Sequence, residues 1–141
     1  MIQSADIWTT LLVAAPALAG VVIVWGRMLP KQAALVAAGA SALSVGWAAW
    51  LLGSDIRGVS TLWSWAPHLH LQVSWRLEIA TLALAILVAG IGLLVLQYAG
   101  RYFDASRQNA QIIALLAAFE SAMLGLVLAD NVLLLYVFWE L

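Results

Sequence analysis

The sequence predicts an all-α polytopic membrane protein that forms a single membrane domain over residues 1–141. Hydrophobic residues make up 65% of the chain and charged residues only 9%, against about 25% charged residues in ordinary soluble domains. The mean hydropathy is +1.02. The apolar residues are gathered into runs near the roughly 20 residues that a helix needs to cross the hydrocarbon core. Composition and run length together place the chain in lipid.

The apolar runs predict four full transmembrane helices and the first half of a fifth. The complete runs are Ile7–Trp25, Ala33–Leu52, Ile79–Ala99 and Ala110–Ala129. A fifth run starts at Val132 and reaches Leu141, which gives about 15 Å of helix against a hydrocarbon core of about 30 Å. A free C-terminal carboxylate at that depth would add a second buried charge. We therefore predict that the polypeptide was cut or frameshifted at Leu141, or continues beyond it.

Basic residues predict the orientation of the chain. Residues 1–26 contain no Lys or Arg, so the positive region of a secretory signal is missing and the first run is interpreted as a retained helix. Loops rich in Lys and Arg favour the cytoplasm. The turns after the first and third spans carry most of the basic residues, namely Arg27, Lys31, Arg101 and Arg107. The amino terminus is therefore expected outside.

The long connection between the second and third spans is predicted to form an outer β-hairpin. Residues 68–77 alternate between polar and apolar at every step, which is the period of a strand with one apolar face. Pro67 suits the turn before this strand, and residues 62–65 can supply an antiparallel partner. The hairpin is therefore expected to lie on the outer surface.

Aromatic and imidazole side chains distinguish the two faces of this hairpin. Trp63, Trp65 and Trp75 are expected near the membrane interface, which amphipathic rings prefer. His68 and His70 fall on one strand face. Two imidazoles there could share a metal, but any solvated strand edge has the same spacing, so no metal site is predicted.

Charge and residue usage exclude several functions. The net charge of −1, without a basic cluster, is unsuited to nucleic acid. The absence of cysteine excludes disulfides, thiolate metal sites and iron–sulfur clusters held by this chain. No glycine-rich phosphate loop is present, and no Ser, His and Asp set is placed for nucleophilic catalysis. The sequence therefore predicts no enzyme activity and no cofactor.

Two glutamates in apolar runs are the candidate functional residues. Glu140 would lie near the middle of a membrane helix, where an acidic side chain costs roughly 2.5 to 3.5 kcal/mol on insertion scales. Glu120 lies as far before Asp130 as Glu140 lies after it. With a turn at Asp130, the fourth and fifth helices run antiparallel and place both carboxyls about 15 Å from the outer boundary. Facing one another, they would be separated by a bridging water or two.

Burial and a like-charged neighbour favour the neutral form of a carboxyl, which can then exchange a proton. Each candidate also has a simpler interpretation. Glu140 could instead bend toward the headgroups or be neutralised between helices, and Glu120 could be a protonated interface residue without a transport role. Glu78, at the start of the third span, is most simply an acid at a helix N-terminus. It is kept as a candidate for the point where ions enter.

The closing stretch, residues 121–141 with Phe138-Trp139-Glu140-Leu141 at its end, resembles the fourth and fifth helices of antiporter-like subunits. These subunits are shared by Mrp-type multisubunit cation/proton antiporters and respiratory complex I, and the stretch is most similar to the A-type subunit of the Mrp antiporters. Residues 90–102 are similar to that subunit's third helix. Arg76-Leu77-Glu78 falls where the family has Arg-Leu-Asp followed by Gly and a hydroxyl residue, and Ile79-Ala80 departs from that pattern.

The resemblance implies that Glu140 is the family's fifth-helix glutamate, which pairs with a lysine on a later helix and passes protons along buried charged residues and water. Glu120 would be a second acceptor. The implied partners are other membrane subunits, helices of the same subunit beyond Leu141 and lipids, and the implied activity is Na⁺/H⁺ exchange in a bacterial plasma membrane. The alternatives are a proton-pumping subunit of a complex I or hydrogenase-type complex, and a non-transporting scaffold or assembly subunit.

Overall fold

The computed structural model describes residues 2–56, 58–66 and 71–141. The elements in chain order are α1 (Ile2–Trp25), α2 (Pro30–Gly53), β1 (Gly58–Ala66), β2 (Leu71–Leu77), α3 (Ile79–Tyr102), α4 (Arg107–Leu128) and α5 (Val132–Glu140). Helices α1 to α4 each contain a segment long and apolar enough to cross a membrane. Over the described residues the predicted fold class is confirmed: four helices long enough to span a membrane, a short fifth helix, and a hairpin between the second and third helices.

Several helices begin before the apolar runs do, because polar residues and proline define their ends. α2 begins at Pro30, whose fixed φ suits the first helical turn. α4 begins after Ser106, whose hydroxyl accepts a hydrogen bond from the Asn109 N–H at 3.2 Å. Asn131 caps α5 in the same way. These caps satisfy N–H groups that the first turn of a helix leaves free.

The four long helices pack into a bundle through small residues. α1 and α3 each pack on both α2 and α4, and α2 also contacts α4. Ala37, Ala89 and Ala117 are fully buried at 0% exposure. A Cβ added at Gly100 of α3 would overlap the Cβ of Ala34 on α2. Because small residues let helix backbones approach closely, the bundle depends on close backbone packing rather than on large side chains.

The two strands form an antiparallel hairpin in which Gly58 pairs with Leu77 and Thr61 pairs with Ser74. The first strand is longer than the predicted one and has an irregularity after Thr61. The side chains of Trp63 and Trp65 lie outside the described part of the structure. So do Pro67, His68 and His70, which carried the predicted turn and the metal hypothesis.

Trp75 differs from the sequence expectation. Its side chain is 1% exposed, its indole N–H donates to the Thr10 hydroxyl at 2.7 Å, and its ring centroid lies 5.9 Å from that of Phe138. The ring is therefore buried between α1 and α5 rather than placed among headgroups. Strand alternation identifies the face on which Trp75 lies but not the helices that cover that face.

The β2 strand is attached to the loop between α4 and α5. The Asp130 N–H donates to the Ser74 carbonyl at 3.0 Å. The Asn131 side-chain amide donates to the Gln72 carbonyl at 2.8 Å. The hairpin is thereby fixed to the end of the bundle at which α4 ends and α5 begins.

Candidate functional site

The carboxyl of Glu120 is buried within the bundle. Its side chain is 4% exposed, and its Oε2 accepts a hydrogen bond of 2.7 Å from the Ser41 hydroxyl of α2. Its Oε1 is buried and has no hydrogen-bond partner among the described residues. A Cβ added at Gly92 of α3 would overlap the carboxyl. The group is therefore enclosed by α2 and α3, and Gly92 leaves the space that it fills.

Helical periodicity explains why Glu120 is buried. The buried side chains of α4 include Ala117, Glu120, Ser121, Leu124 and Leu128. These positions recur at helical spacings and form one stripe along the helix. Glu120 lies about 12 Å along the helix from Leu128. The carboxyl thus occupies a core position well inside a membrane-spanning segment.

A proline in α1 leaves a backbone carbonyl free near Glu120, and serines of the neighbouring helices bind there. Pro16 lies inside the helix and has no N–H, so the carbonyl of Leu12 loses its helical partner. The Ser44 hydroxyl of α2 donates to that carbonyl at 3.0 Å. The Ser121 hydroxyl of α4 donates to the next carbonyl, that of Val13. Neighbouring helices thus satisfy the carbonyls near the proline, as membrane helices require.

These groups form what we call the polar layer: the side chains of Ser41, Ser44, Glu120 and Ser121 with the Leu12 and Val13 carbonyls. Ser41 and Ser44 lie about one turn apart on α2, and Glu120 and Ser121 are adjacent on α4. Sequence patterns alone do not single out the two serines of α2. The available signal is Pro16, which frees a carbonyl inside one apolar run while serines recur at helical spacing in the next.

An apolar groove runs beside the Glu120 carboxyl. It lies between α3 and α4, has a volume of about 280 Å³, and includes Gly92 and Glu120 in its wall together with side chains such as Val95, Phe119 and Met123. Glu120 is the one ionisable residue in that lining. The groove therefore brings open space close to the carboxyl from the α3–α4 side.

The structure does not join Glu140 to Glu120. The Glu120 carboxyl contacts α2 and α3, whereas α5 packs on α4 through Phe138, whose ring would overlap a Cβ at Gly125. Glu140 is exposed at the end of α5. Among the residues that the structure describes, none forms an ion pair with it. The two carboxyls therefore do not share the α4–α5 interface that their spacing allowed.

Glu78 lies in a group of charges at the hairpin end of the bundle. It is exposed, precedes α3, and accepts from the Arg76 guanidinium at 3.1 Å. Arg76 also pairs with Asp130 at 2.8 Å. The hydrogen bond to Glu78 and the charge of Asp130 raise the pKa of Arg76. Sequence reasoning placed Asp130 only in a turn and did not find this ion pair.

The fold and the buried carboxyl define a multi-pass helical membrane protein. No protein-family model matches this chain. The A1 subunit of the Na(+)/H(+) antiporter from each of several Staphylococcus aureus strains, including JH9 and Newman, is 41% identical over 78 residues, which are 55% of this chain and 10% of the relative. The chain thus covers about a tenth of the length of the curated relatives it matches.

A solved structure agrees over almost the whole chain. The Mrp complex from Dietzia sp. DQ12-45-1b contains a chain that superposes with a TM-score of 0.77 and 27% identity, covering 94% of this chain and 14% of that one. The subunit A1 relatives and the Mrp complex structure together confirm the resemblance to the A-type subunit of Mrp antiporters. The relatives are bacterial, in agreement with a multi-pass bacterial membrane protein.

Proposed function

We propose that this chain forms part of a subunit of a multisubunit Na⁺/H⁺ antiporter and contributes a buried glutamate to its proton path. The observation that carries the proposal is the Glu120 carboxyl, held inside a membrane-spanning helix by one hydrogen bond from Ser41. The name of the similar relatives, which are Na(+)/H(+) antiporter subunits, supports the choice of ions. The proposed role is transport, without enzyme chemistry or a cofactor.

The surroundings of Glu120 suit a group that gains and loses a proton. A buried carboxylate that is permanently charged is normally paired with a cation. Among the described residues Glu120 has no ion pair, and its one hydrogen-bond donor is the neutral Ser41 hydroxyl. With Oε2 held by Ser41, Oε1 is the oxygen available to carry the proton. Ionisable groups inside membrane helices are typical of proton relays.

Glu140 is proposed as a second carboxyl of the path. It is exposed on α5, and the similar relatives are far longer than the segment that matches this chain. Its proposed partner is a lysine on a later helix of the intact subunit. Glu78 remains a candidate for the point where ions enter, because it is exposed and lies beside Arg76, which also pairs with Asp130.

The proposed setting is the plasma membrane of a bacterium, with the amino terminus outside. The basic residues of the α1–α2 and α3–α4 connections would then face the cytoplasm, as the positive-inside rule requires. The partners are lipids, the other membrane subunits of the antiporter and the later helices of the same subunit. Na⁺ and H⁺ are the transported ions.

The test compares conservative variants in the complete antiporter. Glu120→Gln and Glu140→Gln keep the size of the side chain but cannot ionise. Each should reduce Na⁺-driven proton exchange in everted vesicles at least tenfold while the subunits still co-purify. Asp55→Asn, at an exposed position outside the helices, is the matched control and should keep wild-type exchange.

Wild-type exchange by the assembled Glu120→Gln complex would refute a proton-carrying role for this residue. Wild-type exchange by both glutamate variants would favour the scaffold function. Co-purification with cofactor-bearing soluble subunits, in place of antiporter subunits, would favour the complex I or hydrogenase-type alternative.

A further inference from the structure

A second groove, between α2 and α3, carries positive charge at one end. It has a volume of about 770 Å³. Lys31 in the first turn of α2 and Arg101 in the last turn of α3 lie at the same end, and Gln97 lies one turn further in. The residues beyond them are small or apolar. We call this cavity the basic groove.

The length of the basic groove matches one leaflet of a bilayer. On α2 its wall runs from Lys31 through Ala34 and Ala38 to Ala42. The helical rise makes the distance from Lys31 to Ala42 about 16 Å, against about 15 Å for half of a hydrocarbon core. Its base is shallow because Ala34 packs directly on Gly100. The groove thus has the length of one leaflet and carries its charge at one end.

Two positive charges lie at one end of the basic groove, those of Lys31 and Arg101. Among the described residues, neither Lys31 nor Arg101 forms an ion pair, and both side chains are exposed. Lys31 lies near the N-terminus of α2, where the helix dipole disfavours a cation and favours an anion. An anion between the two side chains would relieve both their mutual repulsion and this unfavourable dipole interaction.

We propose that the basic groove binds one anionic phospholipid, with its phosphate between Lys31 and Arg101 and an acyl chain along Ala34, Ala38 and Ala42. Basic pockets between membrane helices are known to bind lipid headgroups. The apolar wall that continues through one leaflet fits a lipid rather than a soluble phosphate. This proposal requires only that the helices span a membrane, so it stands or fails independently of the proton path.

The headgroup is tested by native mass spectrometry of the delipidated intact complex titrated with phosphatidylglycerol or phosphatidylcholine. The wild-type complex should bind phosphatidylglycerol more tightly than phosphatidylcholine. The double variant Lys31→Gln/Arg101→Gln should bind phosphatidylglycerol roughly 30-fold more weakly, because each basic residue near a membrane surface contributes several-fold. Arg27→Gln/Arg107→Gln removes the same charge outside the groove lining and should retain wild-type affinity.

The acyl chain is tested with glycine variants of α2. Gly39 lines the basic groove and, like Gly46 outside it, has nothing within 4 Å of an added Cβ. Gly39→Leu should fill the groove and weaken phosphatidylglycerol binding, whereas Gly46→Leu should not.

Four results would overturn the proposal. The first three are unchanged phosphatidylglycerol affinity in the Lys31→Gln/Arg101→Gln variant, equal affinity for the two lipids in the wild type, and displacement of phosphatidylglycerol by inorganic phosphate alone. Cross-linking from a cysteine at position 39 to another helix, in place of lipid, would also reject it.

Discussion

At the scale of single residues, the position of the Glu120 carboxyl depends on a hydroxyl and on a missing side chain. Ser41 supplies the hydrogen bond to Oε2, and Gly92 leaves the space for the carboxyl. Both contacts come from other helices, so each can be changed without altering Glu120 itself. Substitutions of Ser41 or Gly92 therefore test the position of the carboxyl, whereas substitutions of Glu120 remove the carboxyl itself.

The first residue-scale prediction concerns Ser41. Ser41→Ala removes the described donor of a buried carboxyl, which costs about 1 to 3 kcal/mol for an unsatisfied buried group. We expect the complex to assemble but to exchange protons several-fold more slowly in everted vesicles. Ser41→Thr restores the hydroxyl and should restore most of the rate. Equal rates in the wild type, Ser41→Ala and Ser41→Thr would show that this hydrogen bond does not position the carboxyl for exchange.

Two glycines of α3, Gly92 and Gly90, should respond differently to substitution by alanine. Gly92→Ala places a Cβ where the Glu120 carboxyl lies, so the carboxyl must move, at a cost of about 1 to 3 kcal/mol for overpacking. Gly90 has open space around it, and Gly90→Ala should be neutral or stabilising by up to about 1 kcal/mol. Thermal unfolding of the purified complex and vesicle exchange should both separate the two variants. A Gly92→Ala complex with wild-type thermal stability and wild-type exchange would contradict the described packing.

Some residues of the candidate site could be predicted from the sequence and others could not. Glu120 could be found because a charge inside an apolar run is costly wherever the helix packs. Ser41 and Gly92 could not be found, since serine and glycine are common in membrane helices and their contacts with Glu120 join distant parts of the chain. For the same reason, the equal spacing of Glu120 and Glu140 from Asp130 predicted that the two lie at one depth but could not predict which helices their side chains contact.

At the scale of elements, α1 depends on its neighbours because of Pro16. The Ser44 hydroxyl donates to the carbonyl that the proline leaves free, and Ser121 donates to the adjacent carbonyl. Hydropathy predicted the spans, and alternation predicted the hairpin. Neither pattern could predict that strand β2 is fixed to the α4–α5 loop through Asp130 and Asn131, because those bonds join elements far apart in sequence.

A double-mutant cycle tests the link between the proline and the serine. Ser44→Ala should destabilise the complex by about 1 kcal/mol, since the partly buried carbonyl of Leu12 loses its donor. In a Pro16→Ala background the helix itself can supply an N–H to Leu12, so the same serine change should cost much less. Denaturant or thermal unfolding of all four proteins gives the coupling energy. An identical cost in both backgrounds would show that Ser44 does not compensate for Pro16.

At the scale of the whole molecule, the orientation in the membrane is open to direct measurement. The chain contains no cysteine, so cysteines can be placed singly at the exposed loop positions of Asp55 and Asp104. In intact cells, a membrane-impermeant maleimide should label the Asp55→Cys variant and should reach the Asp104→Cys variant only after permeabilisation. The opposite pattern would place the amino terminus in the cytoplasm and refute the proposed orientation.

The number of spans in the bundle could be predicted from the sequence, but the packing of the helices could not. The number of spans follows from hydropathy, because every helix that crosses lipid must be long and apolar. The packing of α1 and α3 against both α2 and α4 depends on alanine and glycine contacts that a hydropathy pattern does not specify. The polar layer exists only once those helices are assembled.

Infrared difference spectroscopy of the purified complex can show whether the Glu120 carboxyl carries a transported proton. The wild-type spectrum should contain a band of a protonated carboxyl that is missing in Glu120→Gln and that disappears when Na⁺ drives proton release. Wild-type and Glu120→Gln complexes with the same carboxyl bands, or a Glu120 band that does not respond to Na⁺, would show that this carboxyl does not carry the transported proton.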